Sequence, residues 1–523
     1  MFIGAGLMLA ALPWLVSNYA TQDGPNHLAV AHVVATYDAP GSPFAAYWTL
    51  DGGPLRPSTG QYWLLCGLAH LCSPAAAEKV LASLATLLLP LAAWLFARRA
   101  VPKRSGNVLL LFPLVTGWAL AMGFVAFVLA LGFGILVLAL GWQPEPGAAP
   151  VRWRLILAAV LHVLCAWLHP AMAVFAGVAL LTLQGPRLRH KAGWRNLLIV
   201  TGPAAAYVVI AYVTAHNPGL PPQPHTTGWS NPLEILRGLV EYQVAYSAWE
   251  LIPRGLAVMI LLCGWAANFR RPPLWGGGPE CAAFRLVAVF LGLYAIAPGE
   301  ISDWYYFSVR FLFIAIVVLP AAADLPKRIT RFVPIIATTL TAAVIAIAVV
   351  SLVRLDAKVQ QVRDAGANLP RGSRLISINF GERRPGLVEG PQPLAHAWAH
   401  LVVDRDIVSG QLFAAGKPQM GGERFRMLSL RPEVLQQDTG VLPWPGFENA
   451  YALGRSCDTP ATSDCRGRLL AMRDSLNAVV GRYDFILMIA PPEIARTILT
   501  EGLSLRRRVG DAWIFATRRD RGQ

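Results

Sequence analysis

Five side chains in this sequence have the type and the setting to do chemistry. The first, Asp23, stands in Thr21-Gln22-Asp23-Gly24-Pro25-Asn26-His27-Leu28, directly after the first apolar block. A carboxylate there can act as a general base if it reaches the proton directly or through one water. Gly24-Pro25 imposes a turn that can aim Asp23 back over the apolar blocks. The plainer alternative is that Asp23 begins a turn capping the helix-like run Leu28 to Tyr37. His27, one turn into that run, can orient Asp23, touch a substrate or help bind a metal, or lie on the surface. Asp51, in Thr49-Leu50-Asp51-Gly52-Gly53-Pro54, offers a metal or acceptor contact, or only an Asp-Gly turn. His169 precedes Pro170 at a break between two apolar runs. Arg310 follows the acidic and aromatic stretch 300–307. Its planar fork matches two phosphate oxygens, although an arginine at a membrane edge also serves as an anchor or pairs with an acid such as Asp303.

These residues need a frame, and the composition says which kind. Of 523 residues, 55% are hydrophobic and 14% charged, against about 25% charged in an ordinary soluble domain. The apolar residues come in uninterrupted blocks, which excludes a soluble enzyme, a disordered chain and a collagen-like repeat. The fold class expected is an α-helical multi-span membrane protein with a small C-terminal α/β domain. Charge is unevenly spread: residues 355–523 hold 23 Lys and Arg with 18 Asp and Glu, and the first 354 hold 22 and 12. The expected division is a transmembrane body, 1–354, with a first outer loop at 18–76, and a water-soluble domain, 355–523.

A spanning helix needs about 20 apolar residues to cross about 30 Å of hydrocarbon. Eleven spans are expected: 2–17, 77–97, 107–121, 123–141, 154–169, 171–184, 197–214, 254–267, 285–297, 309–323 and 333–353. Blocks 107–141 and 155–184 read as hairpins, interrupted at Gly117 to Gly123 and at His169-Pro170. With that count, one side's loops carry 16 of the 22 basic residues of the body, and the other side holds 9 of the 12 acids. The positive-inside rule then places the N-terminus in the cytoplasm and the C-terminal domain outside. It also explains the net charge of +15 without nucleic acid. Gln61 to Cys72 and Leu233 to Trp249 read as interfacial or re-entrant segments.

In the outer part, Arg374 to Phe380, Tyr483 to Ile489 and Ala512 to Thr517 read as strands, with helices at Pro393 to Val403 and Glu493 to Leu503. No Gly-rich phosphate loop and no Gly-x-Ser-x-Gly elbow is present, so this part reads as a lid or docking module. Cys457 and Cys465 close a short polar loop there, and in an oxidising compartment the default is a disulfide.

A first span followed at once by an Asp-bearing outer loop, many further spans and a C-terminal outer domain resembles the GT-C superfamily of integral-membrane glycosyltransferases. Asp23-Gly24-Pro25-Asn26-His27 is similar to the Asp-x-Pro-x-His stretch of several bacterial members, and Gly123-Phe124, His169-Pro170 and Arg310-Phe311 are further likenesses. The resemblance covers roughly residues 1–354. It implies an enzyme that transfers a sugar, with inversion, from a polyprenyl-phosphate donor to an envelope glycan or lipid acceptor at the outer face of a bacterial inner membrane. It further implies Asp23 as general base and His27, Asp51, His169 and Arg310 as substrate-binding residues. Trp48, Trp63, Tyr305 and Tyr306 are candidates for stacking on sugars, or belong to an interfacial belt. The sequence departs from the superfamily's better-known pattern in having no second acid adjacent to Asp23, which leaves a divalent cation (Mg2+ or Mn2+) open.

Two other classes compete. A flippase or transporter for a lipid-linked glycan would show paired interrupted spans, repeats and buried charge at mid-membrane. Here the polar candidates cluster at outer ends instead. A non-catalytic envelope-assembly scaffold would lose no more than a helix cap on replacing Asp23, about 0.5–2 kcal/mol.

Overall fold

The computed structural model describes residues 2–50, 53–142, 151–214, 227–270, 278–301, 306–380, 390–412, 427–431, 434, 463–478, 480–499 and 502–517. It is mostly helical. Five helices are long and apolar enough to cross a membrane: Pro74–Ala100, Lys191–Thr214, Ala248–Ala266, Pro279–Ile296 and Lys327–Gly366. Shorter apolar helices occupy Phe2–Leu15, Val125–Gly141, Pro170–Gln184 and Phe307–Ala322. Local sequence explains their limits. The helix α4, Pro74–Ala100, starts on Ser73, whose hydroxyl accepts the Ala76 N–H, has proline in its first turn, and ends on Arg98 and Arg99. The helix α1, Phe2–Ala11, tightens into a 3-10 turn at Leu12–Leu15 around Pro13.

The segment 107–121, expected as one span, is not one helix. A 3-10 stretch, Pro102–Leu111, passes into two four-residue turns, Phe112–Val115 and Trp118–Ala121. Proline at 102 and 113 removes donors, and at Gly117 a side chain would press on the Gln243 and Leu114 carbonyls. The carbonyls freed by this path are not left bare. Arg254 donates to the Pro113 oxygen at 2.6 Å and the Thr116 oxygen at 3.1 Å, while its Nε holds Glu250 at 2.8 Å. Glu250 in turn accepts the Ala245 and Tyr246 N–H groups. Irregular backbone within such a bundle is tolerable where protein groups satisfy it.

The 40-residue helix Lys327–Gly366 spans about 60 Å at 1.5 Å per residue, twice the hydrocarbon thickness. The division expected at 354/355 falls inside it, so the chain leaves the apolar body without a break. The helix also ties down the start of the loop that follows the first helix: the Asp356 carboxylate accepts Ser17 N–H at 3.0 Å and Asn18 N–H at 2.7 Å.

Beyond it lies a four-stranded sheet. Leu375–Asn379 pairs in parallel with Phe485–Ile489, which pairs antiparallel with Ala512–Ala516, itself antiparallel to Ser504–Val509. The first, second and fourth of these in chain order agree with the strands read from sequence; Ser504–Val509 does not, because 493–503 reads as one helix that in fact stops at Ile498. Strand residues alternate between two cores. Leu375, Phe485, Leu487 and Ile514 join the large cluster shared with the helical bundle, and Ile376, Ile378, Met488 and Phe515 face a second cluster with Leu469 and Ile494. The sheet is thus packed on the bundle by one face. Cys465 is disulfide-bonded; Cys457, its expected partner, lies outside the described residues.

Candidate functional site

The loop carrying Asp23 is held from three sides before any side chain is considered. Gln22 N–H and Asp23 N–H donate to the carbonyls of Ala121 and Met122, both at 2.9 Å. Gly123 lies against this stretch with φ +84°, and a Cβ there would overlap the Gly24 nitrogen. A side chain is excluded at Gly123 both by its backbone conformation and by space. Lys79, from α4, donates to the Val16 oxygen at 2.6 Å and fastens the end of the first helical segment. Gly24 is equally crowded: a Cβ would meet the Glu78 carboxylate and the Thr21 hydroxyl.

Asp23 takes the N-cap position of α2, Gly24–Thr36, yet its side chain makes no cap bond. Thr21 does that work, its Oγ1 accepting Gly24 N–H at 3.2 Å. The Asp23 carboxylate is therefore left for other use, and it is buried, the residue 9% exposed. Burial pushes its pKa up to about 7, against a hydrogen bond with Gln22 that favours the ionised form. The His396 Nε2 stands 3.5 Å from Asp23 Oδ1. His27, one turn along α2, has its Nδ1 3.1 Å from the Tyr62 hydroxyl, on the helix α3, Gly60–Ala69. Burial, with the neighbouring His396, lowers His27 to about 4, and burial lowers His396 likewise to about 4. Burial, then the Asp23 charge, raises the Tyr62 hydroxyl. Asp23, His27, Tyr62 and His396 thus form one buried group with Glu78 behind it.

The C-terminal part of the chain is clamped along α2. Gln392 N–H donates to Gln22 Oε1 at 2.8 Å, Asn26 Nδ2 to the Gln411 oxygen at 3.0 Å, and His32 Nε2 lies 2.7 Å from Asp406 Oδ1. Gln411 also bridges to the sheet, accepting Ser377 N–H and donating to the Ser377 oxygen.

His169 and Arg310 belong to a neighbouring place. His169, extended between the helices Arg152–Leu168 and Pro170–Gln184, packs edge-on against Phe127 at 5.5 Å between ring centres. Phe127 also touches Phe313, one turn beyond Arg310, and Arg310 lies within electrostatic reach of His169. Phe127 is one turn past Gly123, so the start of one helix, Val125–Gly141, meets both groups. Asp51, Asp303 and Tyr305 lie outside the described residues. Among the described residues no group of three or more His, Cys, Asp or Glu side chains is arranged to hold a metal ion. Asp23 has one histidine, His396, beside it while His27 turns to Tyr62, a donor set that does not suit a cation.

Sequence reading missed three members. Tyr62 sits beside Trp63, a candidate stacking residue, and Glu78, 55 residues from Asp23 in sequence, comes to the loop because α4 passes behind Gly24. His396 is one of ten histidines in the chain; that rarity in Pro393-Leu394-Ala395-His396-Ala397-Trp398 is the one signal that points to it.

No protein-family model matches the sequence, and neither does any curated protein. Two solved structures are similar over nearly the whole chain. ArnT from Cupriavidus metallidurans in the apo state matches with a TM-score of 0.53 at 11% identity, over 98% of this chain and 97% of that one. The same protein bound to undecaprenyl phosphate matches with 0.54 at 12% identity and the same coverage. At that identity the likeness speaks for the fold. The chain shares its fold with ArnT over nearly the whole length of both.

Proposed function

We propose that this protein transfers a sugar from a polyprenyl-phosphate donor to an envelope glycan or lipid acceptor on the outer face of a bacterial inner membrane, with Asp23 as the general base. The observation that carries the reading is the Asp23 carboxylate, buried, relieved of capping by Thr21 and fixed through its backbone to the Ala121–Gly123 turn. The full-length likeness in fold to a protein solved with undecaprenyl phosphate supports a lipid-phosphate donor.

In the proposed reaction the acceptor oxygen attacks the anomeric carbon on the face opposite the phosphate. A new carbon–oxygen bond forms, the anomeric bond to phosphate breaks with its electron pair, and the hydroxyl proton passes to Asp23. The departing phosphate needs positive charge more than a proton, a role assigned to Arg310 with His169 beside it. Phe127 and Phe313 also line a small apolar cavity with Leu89, Leu131 and Ile316. The outward placing of residues 355–523 belongs to the same proposal.

The test compares wild type with Asp23→Asn in cells, by mass spectrometry of envelope glycolipids and polyprenyl-phosphate sugars, with expression and melting temperature measured alongside. The expected result is loss of one glycan and accumulation of one lipid-phosphate sugar in a folded variant. An unchanged glycan profile in both the variant and a deletion strain overturns the proposal.

A further inference from the structure

One titratable neighbour of Asp23 comes from the other end of the sequence. His396 lies 373 positions later, and its Nε2 is 3.5 Å from Asp23 Oδ1. Closing by a few tenths of an ångström makes this a hydrogen bond, and catalytic contacts commonly tighten only with substrate in place. The approach is built rather than incidental. The segment bearing His396 is seated on the Asp23 loop by Gln392 N–H to Gln22 Oε1, on the sheet by Asn379 Nδ2 to the Leu394 oxygen at 2.6 Å, and in the core by the fully buried Trp398.

We infer that His396 is a positioning residue for Asp23: its Nε2–H donates to Oδ1, holds the carboxylate ionised, and leaves Oδ2 for the acceptor hydroxyl. The inference rests on the glycosyl-transfer reading and deepens it, since it makes the C-terminal part of the chain a member of the reacting centre and not only a lid. The chemistry favours donation over proton relay. Burial keeps His396 neutral down to about pH 4 and raises Asp23 to about 7, so the imidazole is a poor acceptor for the proton Asp23 takes but a suitable neutral donor. The side chains that interact with Asp23 are Gln22 from its loop, Tyr62 from α3 and His396, with His27 bonded to Tyr62 and the Glu78 carboxylate and Thr21 hydroxyl beside Gly24. Glu78 is engaged with the Thr21 hydroxyl at 3.5 Å. A donor on Oδ1 lowers a carboxyl pKa, as the hydrogen bond with Gln22 already does.

The test uses full-length protein in nanodiscs and in cells. His396→Phe keeps a ring without the donor, His396→Ala removes the ring, and His396→Gln restores an N–H. Titration of the Asp23 carboxyl is followed by its infrared band, with Asp23→Asn as the blank, and each variant's melting temperature is recorded. The expected result is an Asp23 pKa raised by about one unit or more in the Phe and Ala variants, with product formation down about tenfold to a hundredfold. His396→Gln should return both toward wild type. An unmoved Asp23 pKa and an unmoved pH profile in a folded Phe or Ala variant overturn the inference; if neither folds, failure of the Gln variant to keep the wild-type pKa overturns it. A shifted pKa in a protein whose wild type makes no glycan product supports the pairing and removes the glycosyl-transfer reading instead.

Discussion

At the scale of residues, the decisive feature is that two neighbours share tasks that one aspartate would otherwise combine. Thr21 caps α2 and Asp23 does not, so replacing Asp23 costs no cap. What it removes is a carboxyl held near 7 instead of 3.8. A raised carboxyl pKa favours the folded state fully below pH 3.8, and that contribution is lost as pH rises through about 7. Asp23→Asn is therefore expected to melt like wild type at pH 4 and above it at pH 8, the gap reaching up to about 4 kcal/mol for three pKa units. A gap independent of pH sinks this account. The same ionisation governs chemistry: kcat/KM should climb as pH passes about 7, because only the ionised base accepts the proton. For Arg310, Arg310→Lys keeps a charge but loses the fork. The expected result is a KM for the lipid-phosphate donor raised about tenfold with the acceptor KM unchanged; equal effects on both contradict a phosphate role.

At the scale of elements, the site depends on a turn and not on a helix. The 118–123 turn presents two carbonyls to the Asp23 loop and then reverses at Gly123 with positive φ. Gly123→Ala is expected to lower stability by more than about 1 kcal/mol and to abolish product, because the added Cβ displaces the loop backbone. A variant that melts and works as wild type shows that the turn does not position Asp23. The turn was legible in part: Gly117 to Gly123 interrupts an apolar block, and the interruption is real. Its form was not legible, because the carbonyls freed at Pro113 and Thr116 are satisfied by Arg254, some 140 residues away. The missed strand Ser504–Val509 has a similar cause. Three successive arginines erase the alternation that marks a strand, although Gly510-Asp511, joining Val509 to its partner Ala512, is a two-residue hairpin signal.

At the scale of the whole molecule, the helix Lys327–Gly366 couples the apolar bundle to the sheet, and α2 is gripped by both. The proposed orientation is tested by single cysteines in a cysteine-free background. Asn477→Cys, exposed near the end of Ser463–Asn477, should react with an impermeant maleimide in intact cells, and Arg98→Cys, exposed in the last turn of α4, only after permeabilisation. The reverse pattern overturns the orientation.

The sequence by itself determined that this is a helical membrane protein, where most apolar helices lie, and that Asp23 follows the first of them. These follow from local properties: a run of apolar side chains, a break at glycine or proline, a charge at a helix end. The tertiary structure alone decided who stands around Asp23. Glu78, Tyr62 and His396 reach it from separate elements, and Thr21 relieves it of the cap. Sequence spacing carries no information on such contacts, because they are set by how α3, α4 and the C-terminal segment pack around one short helix.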